Sequence, residues 1–225
     1  MKVDRTDLRI FIWLVAIAII SQIIITPFLY KEPQLLVNWL AIPIYGGLGF
    51  LGMKFFLRRS GFKGMVDPGN GVMKHASPVI LGVVFSVLAI IFDLLSTDKV
   101  PQIPFPVSIP AYLPVAIMDN MFWKLFLLTL VVFLVSEKLM KGKNQEKVFW
   151  SASVVYSILY MLIQFGQYST HVGEIITLTL LQILLVSGGF IIASCWMFRK
   201  YGFLAPVLMH ITQYLIYHGL YGGLS

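Results

Sequence analysis

The chain is poor in charge and carries almost no cysteine. Only 12% of its 225 residues are charged while 58% are hydrophobic. That is too little charge to solvate a globular surface, so a soluble enzyme is excluded. The single cysteine, Cys195, excludes an internal disulfide and any multi-cysteine metal or iron–sulfur centre. Acidic residues are the minority, 10 Asp+Glu against 17 Lys+Arg. The basic surplus falls in short clusters between apolar runs and forms no single basic face, so no nucleic-acid partner is expected. No apolar run alternates with period two, which excludes an outer-membrane barrel. There is no tandem repeat and no separate soluble domain.

What is present is a series of long charge-free runs. A helix of about 20 residues crosses the hydrocarbon core, and an ionised side chain at its centre is costly. Residues 10–30, 33–53, 76–92, 148–173, 175–198 and 201–225 satisfy this rule, and 114–136 is read as a further span, fourth in order. The fold class is therefore all-α, a polytopic membrane bundle of about seven transmembrane helices forming one integral membrane domain over 1–225. The first run follows a charged flank like that of a signal peptide. It is too long and lacks an A-x-A cleavage signature, so it is expected to be retained.

The loops order the topology. Lys2, Arg5, Arg9, Lys54, Arg58, Arg59, Lys63, Lys74, Lys138, Lys141, Lys143, Lys147, Arg199 and Lys200 fall on one side, against Lys31 and Lys99 on the other. By the positive-inside rule this division of fourteen to two places the N-terminus in the cytoplasm and the C-terminus outside. Residues 54–74 and 137–147 read as cytoplasmic loops. Pro101, Pro104, Pro106, Pro110 and Pro114 predict a non-helical outer connection over 100–113, extended at the interface or covering the bundle.

Several signals have two readings. Gly47, Gly49 and Gly52 fit G-x-G-x-x-G, but inside an apolar span with no preceding strand they read as close-packing glycines. His75, His171 and His218 read as interface residues. His210, at mid-helix, needs a partner, either a structural interhelix hydrogen bond or a site. Asp119 and Asn120 could cap the N-terminus of span four at the outer interface. Lys124 lies about 13 residues from Glu137, roughly 20 Å along a helix, too deep to snorkel easily, and Tyr160 and Tyr214 fall at the same depth. Asn120, four residues before Lys124, is its expected acceptor. These groups predict a small polar constellation at mid-membrane.

Asp119-Asn120-Met121-Phe122-Trp123-Lys124, Tyr156-Ser157-Ile158-Leu159-Tyr160 and His210-Ile211-Thr212-Gln213-Tyr214, with Gly188 through Pro206 as the best-matching stretch, resemble the CPBP family over residues 110–220. These are CAAX-protease and bacteriocin-processing proteins, the Abi or type II CAAX prenyl endopeptidase-like intramembrane proteases, with an E-E-x-x-x-R, an F-x-x-x-H and an H-x-x-x-N or D motif. The resemblance implies Asp119 and His210 as catalytic residues, if any, and Asn120, Lys124, Tyr160 and Tyr214 as binding residues. A second register takes Ser136 to Gly142 as the first motif and Phe165 to Ser169 as the second, and brings in Glu137 and His171.

The departures deplete the chemistry. Asn120 stands where the family has a glutamate, Tyr160 where it has a histidine, and Tyr214 where it has an amide or carboxylate. One histidine and one aspartate make a poor zinc site, so neither metal nor cofactor is expected. The resemblance therefore implies a protease homologue in the cell membrane of a prokaryote, without proteolysis, that binds a membrane peptide, lipid-linked substrate or partner protein in an immunity, escort or assembly role. An active endopeptidase using Asp119 and His210 and a subunit of a transporter complex are the alternatives, the latter because mid-membrane lysines occur in transport pathways.

Overall fold

The structure, a computed structural model, describes residues 3–28, 39–69, 71–96, 103–172 and 177–222, the side chains of 167–172 excepted. Their regular structure is helical, with no strand among the described residues. In chain order the rods are α1 (Arg5–Phe28), α2 (Ala41–Phe56), α3 (Met73–Leu95), α4 (Ser108–Leu139), α5 (Gln145–Val172), α6 (Thr177–Tyr201) and α7 (204–221). Five of them, α1, α3, α4, α5 and α6, are long and apolar enough to cross a membrane. Their outward faces are apolar: Trp13, Ile20 and Ile23 on α1, Ile80 and Val87 on α3, and Val155 and Leu162 on α5 are exposed. The chain is a helical membrane bundle, since a soluble protein rarely exposes apolar surface on this scale.

Small residues let the rods approach closely. A Cβ built on Gly52 of α2 would collide with the Leu125 carbonyl of α4, and one on Gly49 would lie 3.0 Å from Met121 Cβ. Gly47 meets nothing within 4 Å, so only two of the three glycines serve the contact. On α3, a Cβ at Gly82 would come within 2.7 Å of the Met209 carbonyl of α7, and Ser86 Oγ donates to Gln213 O at 3.2 Å across the same crossing. Ser157 of α5 donates to Gly188 O of α6 at 3.0 Å. Within hydrocarbon, close packing and such interhelical hydrogen bonds replace the hydrophobic driving force.

Four expectations are corrected. The helix containing span four begins at Ser108, so 108–113 is helical and only 103–107 of the described connection is irregular. Pro110 is the third residue of the helix, where its missing N–H would have no intrahelical partner anyway, and so it does not block the helix. Residues 103–107 cover the bundle: Ile103 and Val107 pack on Ile25 and Ala111. Residues 100–102 lie outside the described residues. Asp119 and Asn120 are consequently not a cap, for eleven residues of helix precede Asp119. Third, the loop expected over 137–147 shrinks to 140–144, because α4 runs to Leu139 and α5 starts at Gln145.

The fourth correction concerns the loop expected over 54–74: α2 runs to Phe56 and α3 starts at Met73, and the described residues between them fold as a cap on one end of the bundle. Leu57, Phe62 and Met65 are buried in the main core. Asp7 of α1 accepts from Met65 N and Arg58, each at 2.8 Å. Arg199 of α6 donates to Gly61 O at 2.9 Å, and Gln145 at the start of α5 donates to Arg59 O at 3.4 Å. Asp67 N donates to Tyr201 O at 2.8 Å and Leu204 N to Met65 O at 2.8 Å. Gly202 (φ 91°) turns the chain here, and its missing Cβ clears the Gly64 carbonyl. The N-terminal flank, the 54–74 segment, the start of α5 and the α6–α7 turn thus meet at one end of the bundle.

Candidate functional site

The site is built on α4, α5 and α7, which pack against one another or against shared neighbours. Asn120 and His210 are its joined pair. Asn120, fully buried, donates from Nδ2 to the Ala116 carbonyl at 2.6 Å, and the same nitrogen lies 3.0 Å from His210 Nδ1. A flipped amide would set Oδ1 against the Ala116 carbonyl oxygen, two acceptors face to face, so the nitrogen must occupy this place. Nδ2 then donates its second hydrogen to His210, and Nδ1 accepts it and carries no proton. Asn120 Oδ1 is left buried with no hydrogen-bond partner. An orphaned buried acceptor costs about 1–3 kcal/mol, which a ligand donating to it would recover.

Lys124 is one of the largest fully buried side chains, 1% exposed. No carboxylate comes within 4 Å of its ammonium among the described residues. Its Nζ lies 5.3 Å from the centre of the Tyr156 ring, a cation–π contact. The expected hydrogen bond to Asn120 is absent. The Asn120 amide turns back to the Ala116 carbonyl and across to His210, while the Lys124 side chain goes to the Tyr156 ring.

Aromatic rings complete the lining. Tyr156 stacks on Trp123 at 5.0 Å and meets Tyr160 edge-on at 6.4 Å. The His210 ring lies 4.3 Å from that of Tyr214 and 5.1 Å from Phe190. Tyr214 in turn packs on Tyr112 and His218. The structure thus brings Asn120 to His210, His210 to Tyr214, and Lys124 through Tyr156 to Tyr160. Asp119 is half-buried beside them.

Glu137 is not among them. It is exposed in the last turn of α4, 17 residues and so about 25 Å of helix beyond Asn120. The side chain of His171 lies outside the described residues. His75 is exposed, as expected of an interface residue, while His218 stacks on Tyr112 at 4.1 Å. Trp123 and Tyr156 stand inside the motifs quoted from the sequence but carried no expected role. The available signal was that Tyr156 precedes Tyr160 by one helical turn and so must share its face.

A zinc ion of the protease kind does not fit these residues: no three His, Cys, Asp or Glu side chains come together among the described residues. What the arrangement offers is a buried ammonium, an unpartnered amide oxygen and a wall of rings, the elements of a recognition site. No family model matches the chain, and no curated protein or solved structure matches it.

Proposed function

We propose that this chain is a CPBP-like intramembrane protein of seven crossings that binds a membrane peptide segment of a partner protein and does not cleave it. The observation that carries this reading is the Asn120–His210 pair. A histidine acting as general base needs a free ring lone pair, and the one on Nδ1 receives the Asn120 amide at 3.0 Å. A carboxylate at 120 would instead accept from the ring and orient it, as proteolytic sites require. The same pairing leaves Asn120 Oδ1 as a buried acceptor without a partner, and Lys124, one helical turn on, is a buried donor against the Tyr156 ring. A peptide unit carries one N–H donor and one C=O acceptor, which complement these two groups.

The two rods outside the group of five support the count of seven. The 18 residues of α7 extend about 27 Å, close to the roughly 30 Å of the hydrocarbon core, and α2 is a shorter apolar helix of the same kind. The end where the four basic segments meet is the cytoplasmic end on the positive-inside rule, which leaves the C-terminus outside. An escort, immunity or assembly role in a prokaryotic cell membrane follows from binding without turnover.

The test compares wild type with Asp119→Ala and His210→Ala on a peptide library in liposomes. No cleavage above the empty-liposome background is expected from any of the three. Cleavage by wild type that both substitutions abolish would establish the endopeptidase reading through Asp119 and His210 in its place.

A further inference from the structure

A concavity lies between α4 and α5, with a volume of about 560 Å³. Its deep end is the Trp123–Tyr156 stack, and Val131, Val135 and Val155 make its walls. Nearly all of this lining is apolar. Besides Ser151 part-way along it, the polar side chains gather at its other end, where Asn144 and Lys147 stand at the turn between the two helices. That turn is rich in cations: 137–147 holds Lys138, Lys141, Lys143 and Lys147 against Glu137 and Glu146, a balance of four to two. Lys147 and both glutamates are exposed.

The dimensions select an occupant. From Lys147 to Leu159, both on the lining, α5 rises about 18 Å, against roughly 15 Å for half the hydrocarbon core. The cleft therefore runs from one membrane surface to about the midplane, the depth of a single acyl chain of one leaflet. A peptide helix would leave its polar end groups unmatched at the apolar, aromatic end, whereas an acyl chain ends apolar. We propose that this cleft holds one acyl chain of an anionic phospholipid, with the phosphate on Lys147. A lysine near a membrane surface attracts anionic headgroups, and the net positive turn adds to it. Tyr156 belongs to both sites, lining the cleft while its ring faces the Lys124 ammonium. The lipid site does not depend on what the interior binds.

The test is native mass spectrometry of lipid retained by the full chain after reconstitution into nanodiscs of mixed phosphatidylglycerol and phosphatidylcholine. Wild type is expected to retain one phosphatidylglycerol, favoured about fivefold over phosphatidylcholine. Lys147→Gln should lower the preference, leaving only the part the remaining net positive turn supplies, and Lys147→Arg should keep it. Val155→Trp, which fills the cleft from an exposed position, should reduce retention of both lipids, and Ser151→Trp serves the same purpose should the first variant fail to fold. Equal retention of the two lipids by wild type, a preference unchanged in Lys147→Gln, or full retention in the folded tryptophan variant would overturn the proposal.

Discussion

Asp7, on the first turn of α1, accepts a hydrogen bond at 2.8 Å from the backbone N–H of Met65, a residue 58 positions away in the 54–74 cap. The Arg58 guanidinium holds the other oxygen at 2.8 Å. Asp7 is buried while Arg58 is about half exposed, 48%. The backbone bond is therefore the less screened of the two, and the pair with Arg58 the weaker.

Removing Asp7 should for that reason cost more than removing its cationic partner. Asp7→Ala is expected to destabilise the bundle by about 1–3 kcal/mol, the range for a buried hydrogen bond to a charged group, and Arg58→Ala by less than about 1 kcal/mol. Denaturant unfolding in micelles would measure both. An equal or larger loss in Arg58→Ala would mean that the ion pair, and not the Met65 bond, ties α1 to the cap.

The α2–α4 crossing admits no side chain at one glycine and tolerates it at another. Gly52→Ala forces a methyl into the Leu125 carbonyl and should cost about 1–3 kcal/mol, whereas Gly47→Ala faces open space and should be close to neutral. Matched unfolding curves for the two variants would show that this contact is not as close as described.

The spans were legible because burying charge in hydrocarbon leaves long charge-free runs whatever the tertiary packing. Packing itself left weaker marks. The start of α4 at Ser108 was hidden by Pro110 and Pro114, which read as breakers, although Pro110 falls in the first turn, where it loses no hydrogen bond, and Pro114 stands inside the helix. The folding of 54–74 was hidden because its binding groups are mostly backbone, the carbonyls of Gly61, Gly64 and Met65, and a backbone group leaves no signature in composition. At the site, the residues Asn120, Lys124 and His210 could be picked out by polarity at depth. Which of them bond to each other could not, because the Asn120 amide is taken by its own Ala116 carbonyl and by His210, 90 residues away, and neither choice is marked in local spacing.

Asp67 gives the cap a pH dependence. A hydrogen bond from Lys63 at 2.8 Å, aided by the Gly69 N–H at 3.1 Å, holds its carboxyl below the ordinary 3.8. A depressed folded value means that the contribution is present above the unfolded value and is lost as pH falls through the folded one. Carboxyl-carbon NMR should find the Asp67 midpoint under 3.8 in wild type and closer to 3.8 in Lys63→Gln. A midpoint unmoved by that substitution would assign the depression to the Gly69 N–H alone.

His210 should carry its proton on Nε2. The Asn120 amide donates both of its hydrogens, to Ala116 O and to His210 Nδ1, because the flipped amide would oppose two acceptors at 2.6 Å. Nitrogen NMR of histidine-labelled protein in micelles distinguishes the two neutral tautomers, and the expected spectrum has a protonated Nε2 and an unprotonated, hydrogen-bonded Nδ1. In Asn120→Leu the constraint is gone, so the Nδ1 resonance should shift toward that of a ring without this donor, and stability should fall by about 1–3 kcal/mol for the buried nitrogen left unpartnered. The measurement also bears on chemistry. With Nδ1 occupied by a donor from its own protein and Nε2 protonated, the neutral ring has no lone pair with which to take a proton from water. A wild-type spectrum with the proton on Nδ1 would free Nε2 as a base, reverse the orientation of the Asn120 amide, and remove the geometric ground for binding without cleavage.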